Sequence, residues 1–372
     1  MTTFVSTVAS FLQGARGLPR EYFTSAAIYA DELERLFLAR WLCACREEEI
    51  ARPGDYRLVE IAGESVMVLR DAGGRLRAFY NVCRHRGARL CEAPAGRLRN
   101  TIQCPYHAWT YRLDGSLAGA PHMQEYEGFD RRDYPLHAVE VGTWEGFVFV
   151  NLAADPEPLE AWLAPIRFRF SRFNISELRS ARRIEYHVAA NWKLIFQNYS
   201  ECLHCPTIHP ELAERTPYNS GENDLVEGPF LGGFMVLTDG DDSLTTGGEA
   251  CAIPVGDLPP EDLRRVYFYS IMPNLLLSLH PDFVMFHTLW PESVGRTRIV
   301  CEWLFHPDAP GVAGFRPDDA IEFWDRTNRQ DWHVCESTQA GVASRAYAPG
   351  PYSPRESLPA AWDREYLRLM RG

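Results

Sequence analysis

Cys83-Arg84-His85 and Cys104-Pro105-Tyr106-His107 decide how this chain is read, because they supply two thiols and two imidazoles from two short loops. Eighteen residues lie between His85 and Cys104. Each half holds one Cys and one His, whereas a Cys2His2 zinc finger runs Cys-Cys and then His-His. Both pairs sit in turn-forming sequence: Arg86-Gly87 follows the first, Pro105 interrupts the second, and Leu113-Asp114-Gly115-Ser116 supplies a hairpin turn beyond. Zinc uses the same residue types, but order and loop chemistry favour a [2Fe–2S] centre, with Cys83 and Cys104 on one iron and His85 and His107 on the other. Neutral imidazoles in place of thiolates remove negative charge and raise the potential above that of an all-cysteine cluster.

Such a centre only carries an electron, so a destination is needed. Further along, Asn198-Tyr199-Ser200-Glu201-Cys202-Leu203-His204-Cys205-Pro206-Thr207-Ile208-His209 sets two more histidines five residues apart. On an unbroken helix that spacing turns through about 500°, leaving the rings on separate faces. Pro206 breaks the helix and lets His204 and His209 converge. Two imidazoles and one carboxylate make the facial triad of non-haem Fe(II), which leaves positions open for oxygen and substrate. The carboxylate must come from elsewhere in the chain.

In this order the motifs resemble those of the α subunits of Rieske non-haem iron oxygenases, the family of the aromatic ring-hydroxylating dioxygenases and of the carnitine and glycine betaine monooxygenases. The likeness runs from a helix near Asp31 to the tail Gly350-Pro351-Tyr352-Ser353-Pro354. It implies an α+β architecture: an all-β Rieske [2Fe–2S] domain, then a helix-grip catalytic domain with an antiparallel sheet and a long C-terminal helix. It implies Fe(II) held by His204, His209 and an Asp of a late helix. Asp331, 122 residues after His209 in Gln330-Asp331-Trp332-His333-Val334-Cys335-Glu336, fits best, with Asp325 and Glu336 the neighbouring alternatives. Glu201 stands where the family carries a carboxylate that bridges a cluster histidine of a neighbouring subunit to an iron histidine. Asn198 opens the same motif and joins Glu201 as a catalytic candidate. A bridge between subunits implies an oligomer, in this family a head-to-tail homotrimer. Apart from any family, a carboxylate beside an imidazole fixes its tautomer and orientation.

Composition agrees with an enzyme of this kind. At 372 residues and 46% hydrophobic content the chain fills more than one core, and its net charge of −12 argues against broad nucleic-acid affinity, although Arg167 to Arg183 forms a local basic stretch. The start Met1-Thr2-Thr3-Phe4-Val5 lacks the pattern of a signal peptide, and no run of about 18 apolar residues marks a membrane span. The expected location is cytoplasmic, with no membrane partner. Most of the ten cysteines are expected to be reduced, with Cys202 and Cys205 as buried neighbours of the iron site.

Periodicity and breakers organise the rest. Ser25 to Leu42 has helical spacing at Leu33, Leu36, Phe37 and Trp41. Strands then dominate: Tyr56 to Ile61, Val66 to Leu69, Leu76 to Tyr80 and Gly146 to Asn151. Residues 1–40 are read as an N-terminal helical segment packing with the catalytic domain, 41–155 as the Rieske domain and 156–372 as the catalytic domain. Gly221 to Asp257 is Gly-, Asp-, Ser- and Thr-rich and reads as a loop near the site; Val266 to Phe305 reads as four antiparallel strands.

Substrate and partner follow from the likeness. Glu201, where ring-hydroxylating members carry Asp, and the wording Glu-Cys-Leu-His-Cys-Pro resemble the quaternary-ammonium branch, implying hydroxylation beside the nitrogen, with glycine betaine as an example and N-demethylation as outcome. Aromatic side chains hold such a cation by cation–π attraction, and Tyr267, Tyr269, Phe283 and Trp290 are taken as substrate-binding, with Phe268, Phe286, Trp303 and Trp332 as further strand and helix aromatics. An oxygenase for an aromatic ring or acid, and a Rieske electron carrier without the second iron, are the alternatives. No Gly-x-Gly-x-x-Gly fingerprint marks a nicotinamide or flavin domain, so electrons are expected from a separate NAD(P)H-dependent reductase of flavin or ferredoxin type.

Overall fold

The computed structural model describes residues 4–224, 226 and 228–371; the extreme ends of the chain and two positions of the Gly221 to Asp257 stretch lie outside them. The contacts divide the chain into Phe37–Trp162 and a second unit made of Met1–Leu36 with Leu163–Gly372. The first unit is thus wider at both ends than the expected 41–155. One physical reason is the Trp41 indole N–H, which donates to the Glu157 carbonyl at 2.8 Å and ties the flanks together.

Phe37–Trp162 is a seven-stranded antiparallel sheet in the order Leu42–Arg46, Phe147–Asn151, Ala138–Trp144, Leu76–Tyr80, Glu64–Arg70, Asp55–Ile61, Ala95–Arg97. A three-stranded sheet (Thr101–Gln103, Thr110–Arg112, Leu117–Gly119) carries the second cysteine-histidine pair in its first turn. The hairpin expected at Asp114-Gly115 is built by the Asp114 carboxylate, which accepts the Ser116 N–H at 2.9 Å and its hydroxyl at 2.6 Å. Gly115 is at φ 87°, and a Cβ there would meet the Phe79 ring at 2.5 Å, so glycine is required twice over. Met67, Leu69, Phe79, Ile102, Trp109 and Tyr111 pack with Cys83 and Cys104 into one core beneath the loops.

In the second unit an eight-stranded antiparallel sheet runs Phe4–Ser6, Glu222–Asp224, Phe230–Val236, Arg265–Ile271, Leu275–Leu279, Val284–Ser293, Arg296–Phe305, Arg179–Val188. The long helix Pro317–Val342 packs on its last strand and on the motif helix Trp192–Tyr199. Pro317 sits in the first turn with Asp318 and Asp319, where a missing N–H costs nothing and negative charge meets the positive helix end. Its buried positions Ala320, Phe323, Trp324, Thr327, Asn328, Trp332 and Cys335 recur at helical spacing. A further helix, Ser357–Arg371, follows the Gly350 to Pro354 tail and packs on the motif helix. The helix expected over Ser25 to Leu42 is shorter: Ala26–Glu32 continues as a wider π-type turn, Leu33–Phe37, and Leu42 already belongs to a strand.

The motif helix is anchored from below. Lys193, 0% exposed, donates to Glu32 at 2.6 Å, and the Trp192 indole N–H (2.9 Å) and Tyr366 hydroxyl (2.5 Å) donate to the same carboxylate. One buried carboxylate thus accepts from three side chains and joins three helices. No described helix is long and apolar enough to cross a membrane.

Candidate active site

Both loops of the first ligand set are built on the same pair of backbone hydrogen bonds. Cys83 N–H donates to Ala88 O at 2.8 Å and Gly87 N–H to Cys83 O at 3.0 Å; Cys104 N–H donates to Trp109 O at 2.8 Å and Ala108 N–H to Cys104 O at 3.1 Å. Gly87 and Ala108, at equivalent places, are both left-handed, with φ 74° and 57°. The thiols point into the core, each residue 3% exposed, and Cys83 Sγ lies 3.3 Å from the Tyr111 hydroxyl, which accepts the Arg84 N–H at 3.0 Å. The imidazoles turn outward: His85 is exposed, its ring 4.7 Å from that of His107 and stacked on Trp109 at 4.9 Å. His107 Nδ1 is buried with no hydrogen-bond partner. An unpaired buried ring nitrogen costs about 1–3 kcal/mol, and a metal taking its lone pair removes that cost, so the four residues fit an iron–sulfur cluster.

At the second site the motif helix ends at Tyr199, and the chain restarts as a short helix, Cys205–Ile208, with Pro206 in its first turn. That break turns His204 and His209 towards each other, with ring centres 5.3 Å apart. Asp331 reaches both from the long helix: its Oδ1 is 2.7 Å from His209 Nε2 and 3.3 Å from His204 Nε2. Ligand atoms of these three residues lie within 4.8 Å of one another, the one such metal-type grouping among the described residues. Asp325 instead accepts the Tyr186 hydroxyl at 2.6 Å, and Glu336 caps Ala189 N–H at 2.9 Å.

The other ring nitrogens are also engaged. His204 Nδ1 lies 2.6 Å from Glu201 Oε1, and His209 Nδ1 lies 2.7 Å from Gln330 Oε1. With both Nδ1 atoms held by acceptors, each ring presents its Nε2 to Asp331, the nitrogen whose lone pair a metal there would take in place of a proton. The other Glu201 oxygen accepts the Leu203 N–H, which fixes the turn that carries His204. Burial disfavours a charged ring at His204, yet the Asp331 and Glu201 hydrogen bonds outweigh it and push the imidazole up to about 10. A field that strong for a proton favours a divalent cation in the same corner, so this donor set fits Fe(II).

The corner opens into a cavity of about 120 Å³. Its aromatic lining is Phe268, with Tyr199 and Trp324 at ring distances of 6.0 and 6.1 Å, together with Phe234 and Tyr218. Trp324, Thr327 and Asp331 all line it, one face of the long helix at spacings of three and four. Asn198 lines it as well, as do Thr7 near one end of the chain and Arg355 and Leu358 near the other. Asn223 ties those ends together beneath it, donating to Ser10 Oγ at 2.8 Å and Ser357 Oγ at 2.6 Å.

Four expected substrate residues are not at the cavity. The Tyr267 hydroxyl donates to Asp262 at 2.5 Å and that of Tyr269 to Asp224 at 2.6 Å; Phe283 stacks on His280 at 4.0 Å, and the Trp290 indole donates to Thr288 at 3.0 Å. Strand side chains alternate, so Tyr267 and Tyr269 share the face opposite Phe268 and Ser270, and only the latter pair lines the cavity. Phe286, Trp303 and Trp332 do not line it either. Gln330, Trp324 and Arg355 escaped the sequence reading; spacing back from Asp331 would have found Trp324 and Thr327. Cys202 and Cys205 form a disulfide rather than standing as thiols, because the turn closed by Cys205 N–H on Cys202 O brings their Cα atoms to 4.9 Å.

Comparison with known proteins agrees with this geometry. Residues 40–139 match the Rieske [2Fe-2S] domain and residues 175–372 the ring hydroxylating alpha subunit catalytic domain. The glycine betaine monooxygenase oxygenase subunit of Pseudomonas aeruginosa is 30% identical over 371 residues, covering 90% of this chain and 84% of that protein. The carnitine monooxygenase oxygenase subunit of Acinetobacter pittii is 38% identical over 198 residues, 53% of each chain. A solved structure of a quaternary ammonium Rieske monooxygenase, described in terms of carnitine oxidation and inter-subunit electron transfer, superposes with a TM-score of 0.82 at 26% identity, covering 96% of this chain and 95% of that one. With its Rieske domain for a [2Fe–2S] cluster and its catalytic domain for a mononuclear iron, this enzyme belongs to the ring-hydroxylating oxygenase α subunits.

Proposed function

We propose that the chain is the terminal oxygenase of a system acting on a quaternary ammonium compound, glycine betaine foremost, hydroxylating a C–H beside the nitrogen so that an N-methyl group leaves as formaldehyde. The observation that carries this reading is the aromatic cavity ending on the His204–His209–Asp331 corner. The relatives named for glycine betaine and carnitine support it. Cys83, His85, Cys104 and His107 would hold the cluster, and His204, His209 and Asp331 the iron. When bound, the two centres supply electrons and oxygen activation.

The residues of the chain bind, orient and exclude water. Phe268, Trp324 and Tyr199 offer ring faces to a trimethylammonium group, worth roughly 0.5–2 kcal/mol per ring. Glu201 and Gln330 keep the Nδ1 protons of His204 and His209 away from the metal face. Glu201 is also the carboxylate through which a neighbouring subunit's cluster would pass electrons in a homotrimer, and an NAD(P)H-dependent reductase of flavin or ferredoxin type in the cytoplasm would supply them.

A single-turnover experiment tests this. Chemically reduced, iron-loaded protein given oxygen and glycine betaine should release formaldehyde and the demethylated amine, and should hold about three irons per chain. A hydroxylated ring from an aromatic acid, without formaldehyde, would move the enzyme to the aromatic branch; two irons per chain would leave an electron carrier.

A further inference from the structure

Four charged side chains other than the histidines line the cavity: Glu201, Glu222, Asp331 and Arg355. Glu201 and Asp331 are taken up by the histidines. Arg355 is the one cation among the four. Arg169 and Arg183, in the same unit, are paired with Asp224 and Glu302. Arg355 has no ion pair among the described residues, with Glu222 or any other carboxylate. Its guanidinium lies over the Tyr218 ring, 5.4 Å from the centroid. A ring face engages the plane of the guanidinium and leaves its five N–H donors free at the edge.

The backbone that carries Arg355 is fixed. Its N–H donates to Ser353 Oγ at 3.2 Å, while the Glu356 carboxylate accepts the Ser353 N–H at 2.8 Å, closing the turn that starts the helix Ser357–Arg371. The side chain is exposed, so it stands at the open end, whereas His209 at the metal corner is 1% exposed. The cavity is therefore polarised: the Glu201 and Asp331 carboxylates lie at the metal corner, and one guanidinium without an ion pair stands at the mouth.

We propose that Arg355 binds the carboxylate of the substrate, so that the site selects zwitterions carrying both a quaternary ammonium and a carboxylate over cations that carry the ammonium alone. The inference rests on the quaternary-ammonium reading above and sharpens it. A cation without a carboxylate meets a like charge at the mouth and leaves the guanidinium unpaired. A betaine meets the opposite charge at each end, with its N-methyl groups turned to the metal corner and its carboxylate bound by a fork of N–H donors.

The test compares glycine betaine, 4-(trimethylammonio)butanoate and choline as substrates of the metal-loaded enzyme, in the wild type, Arg355→Ala and Arg355→Lys. For the better betaine, the ratio of kcat/KM to that of choline should fall about 10- to 100-fold in Arg355→Ala, the size of a charge-assisted pair, with the change carried by KM. Arg355→Lys should recover part of it, keeping the charge and losing the fork. Iron content and the cluster spectrum, measured on each variant, report folding. If the wild type consumes betaine and the ratio moves less than twofold in Arg355→Ala, the carboxylate role is wrong and the substrate reading stands. If the wild type consumes neither a betaine nor choline, both fall.

Discussion

Replacing Gln330 by Leu removes one hydrogen bond and nothing else from the metal corner. Gln330 Oε1 lies 2.7 Å from His209 Nδ1, and the ring is 1% exposed, so no water replaces the lost acceptor. Leaving a buried donor unsatisfied costs about 1–3 kcal/mol. The imidazole escapes that cost by rotating or by moving its proton to Nε2, and either motion takes the lone pair away from the metal. Loss of such an orienting partner weakens metal binding about 10- to 100-fold, which is about 1.4–2.8 kcal/mol. The expected result is that Gln330→Leu gives up its mononuclear iron at a chelator concentration ten times lower or more than the wild type. The cluster absorbance, which belongs to Phe37–Trp162, should not change and serves as the internal control. Gln330→Glu, which keeps an acceptor, should hold iron at least as well as the wild type. Equal iron retention by Gln330→Leu would refute the orienting role, and parallel loss of the cluster would mean that the substitution acts on folding.

Asp331→Ala should lose the third iron outright while the cluster colour persists, read by metal analysis beside the visible spectrum; retention of all three would move the ligand elsewhere. Phe268→Ala should lower kcat/KM for the quaternary ammonium substrate about 2- to 30-fold, the value of one ring face. Tyr269→Phe, on the opposite face of the same strand, should leave kcat/KM alone and cost about 1–3 kcal/mol of stability through the lost bond to Asp224. Burial holds the Lys193 ammonium down from 10.5 to about 8, with the attraction of Glu32 opposing it. Between those values the unfolded chain binds the extra proton, so this residue adds stability as pH rises through the window and loses it as pH falls. The Tm of the wild type relative to Lys193→Met should climb from pH 8 to about 10, and a flat difference would contradict the assignment.

Much of the metal chemistry was legible because it is written locally. Cys83 to His85, Cys104 to His107 and His204 to His209 are each held by a few consecutive residues, and Pro206 and Gly87 announce the turns that make them converge. Asp331 needed the family likeness, since helical spacing alone does not separate it from Asp325 and Glu336. The substrate wall was misread at Tyr267 and Tyr269 for a physical reason: Arg265–Ile271 and its neighbour Leu275–Leu279 are buried on both faces, so hydrophobicity gives no phase and alternation cannot be anchored. Arg355 and Thr7 reach the cavity from sequence positions far from the iron motif, which no local pattern reports. The disulfide depends on the Cα separation of a turn, again a property of space rather than of spacing.

Thr7 and Arg355 lining one cavity, with Asn223 fastening the segments that bear them, has a practical consequence. A purification handle on the amino-terminal side joins the fold at Phe4–Ser6, next to the lining residue Thr7, whereas one on the carboxyl side follows Arg371, at the other end of a helix about 22 Å long from Ser357. The first acts less like an inert label than like a substitution at the site. Preparations that differ only in which end carries the handle should therefore be compared kinetically before differences among substrates are credited to the active-site side chains.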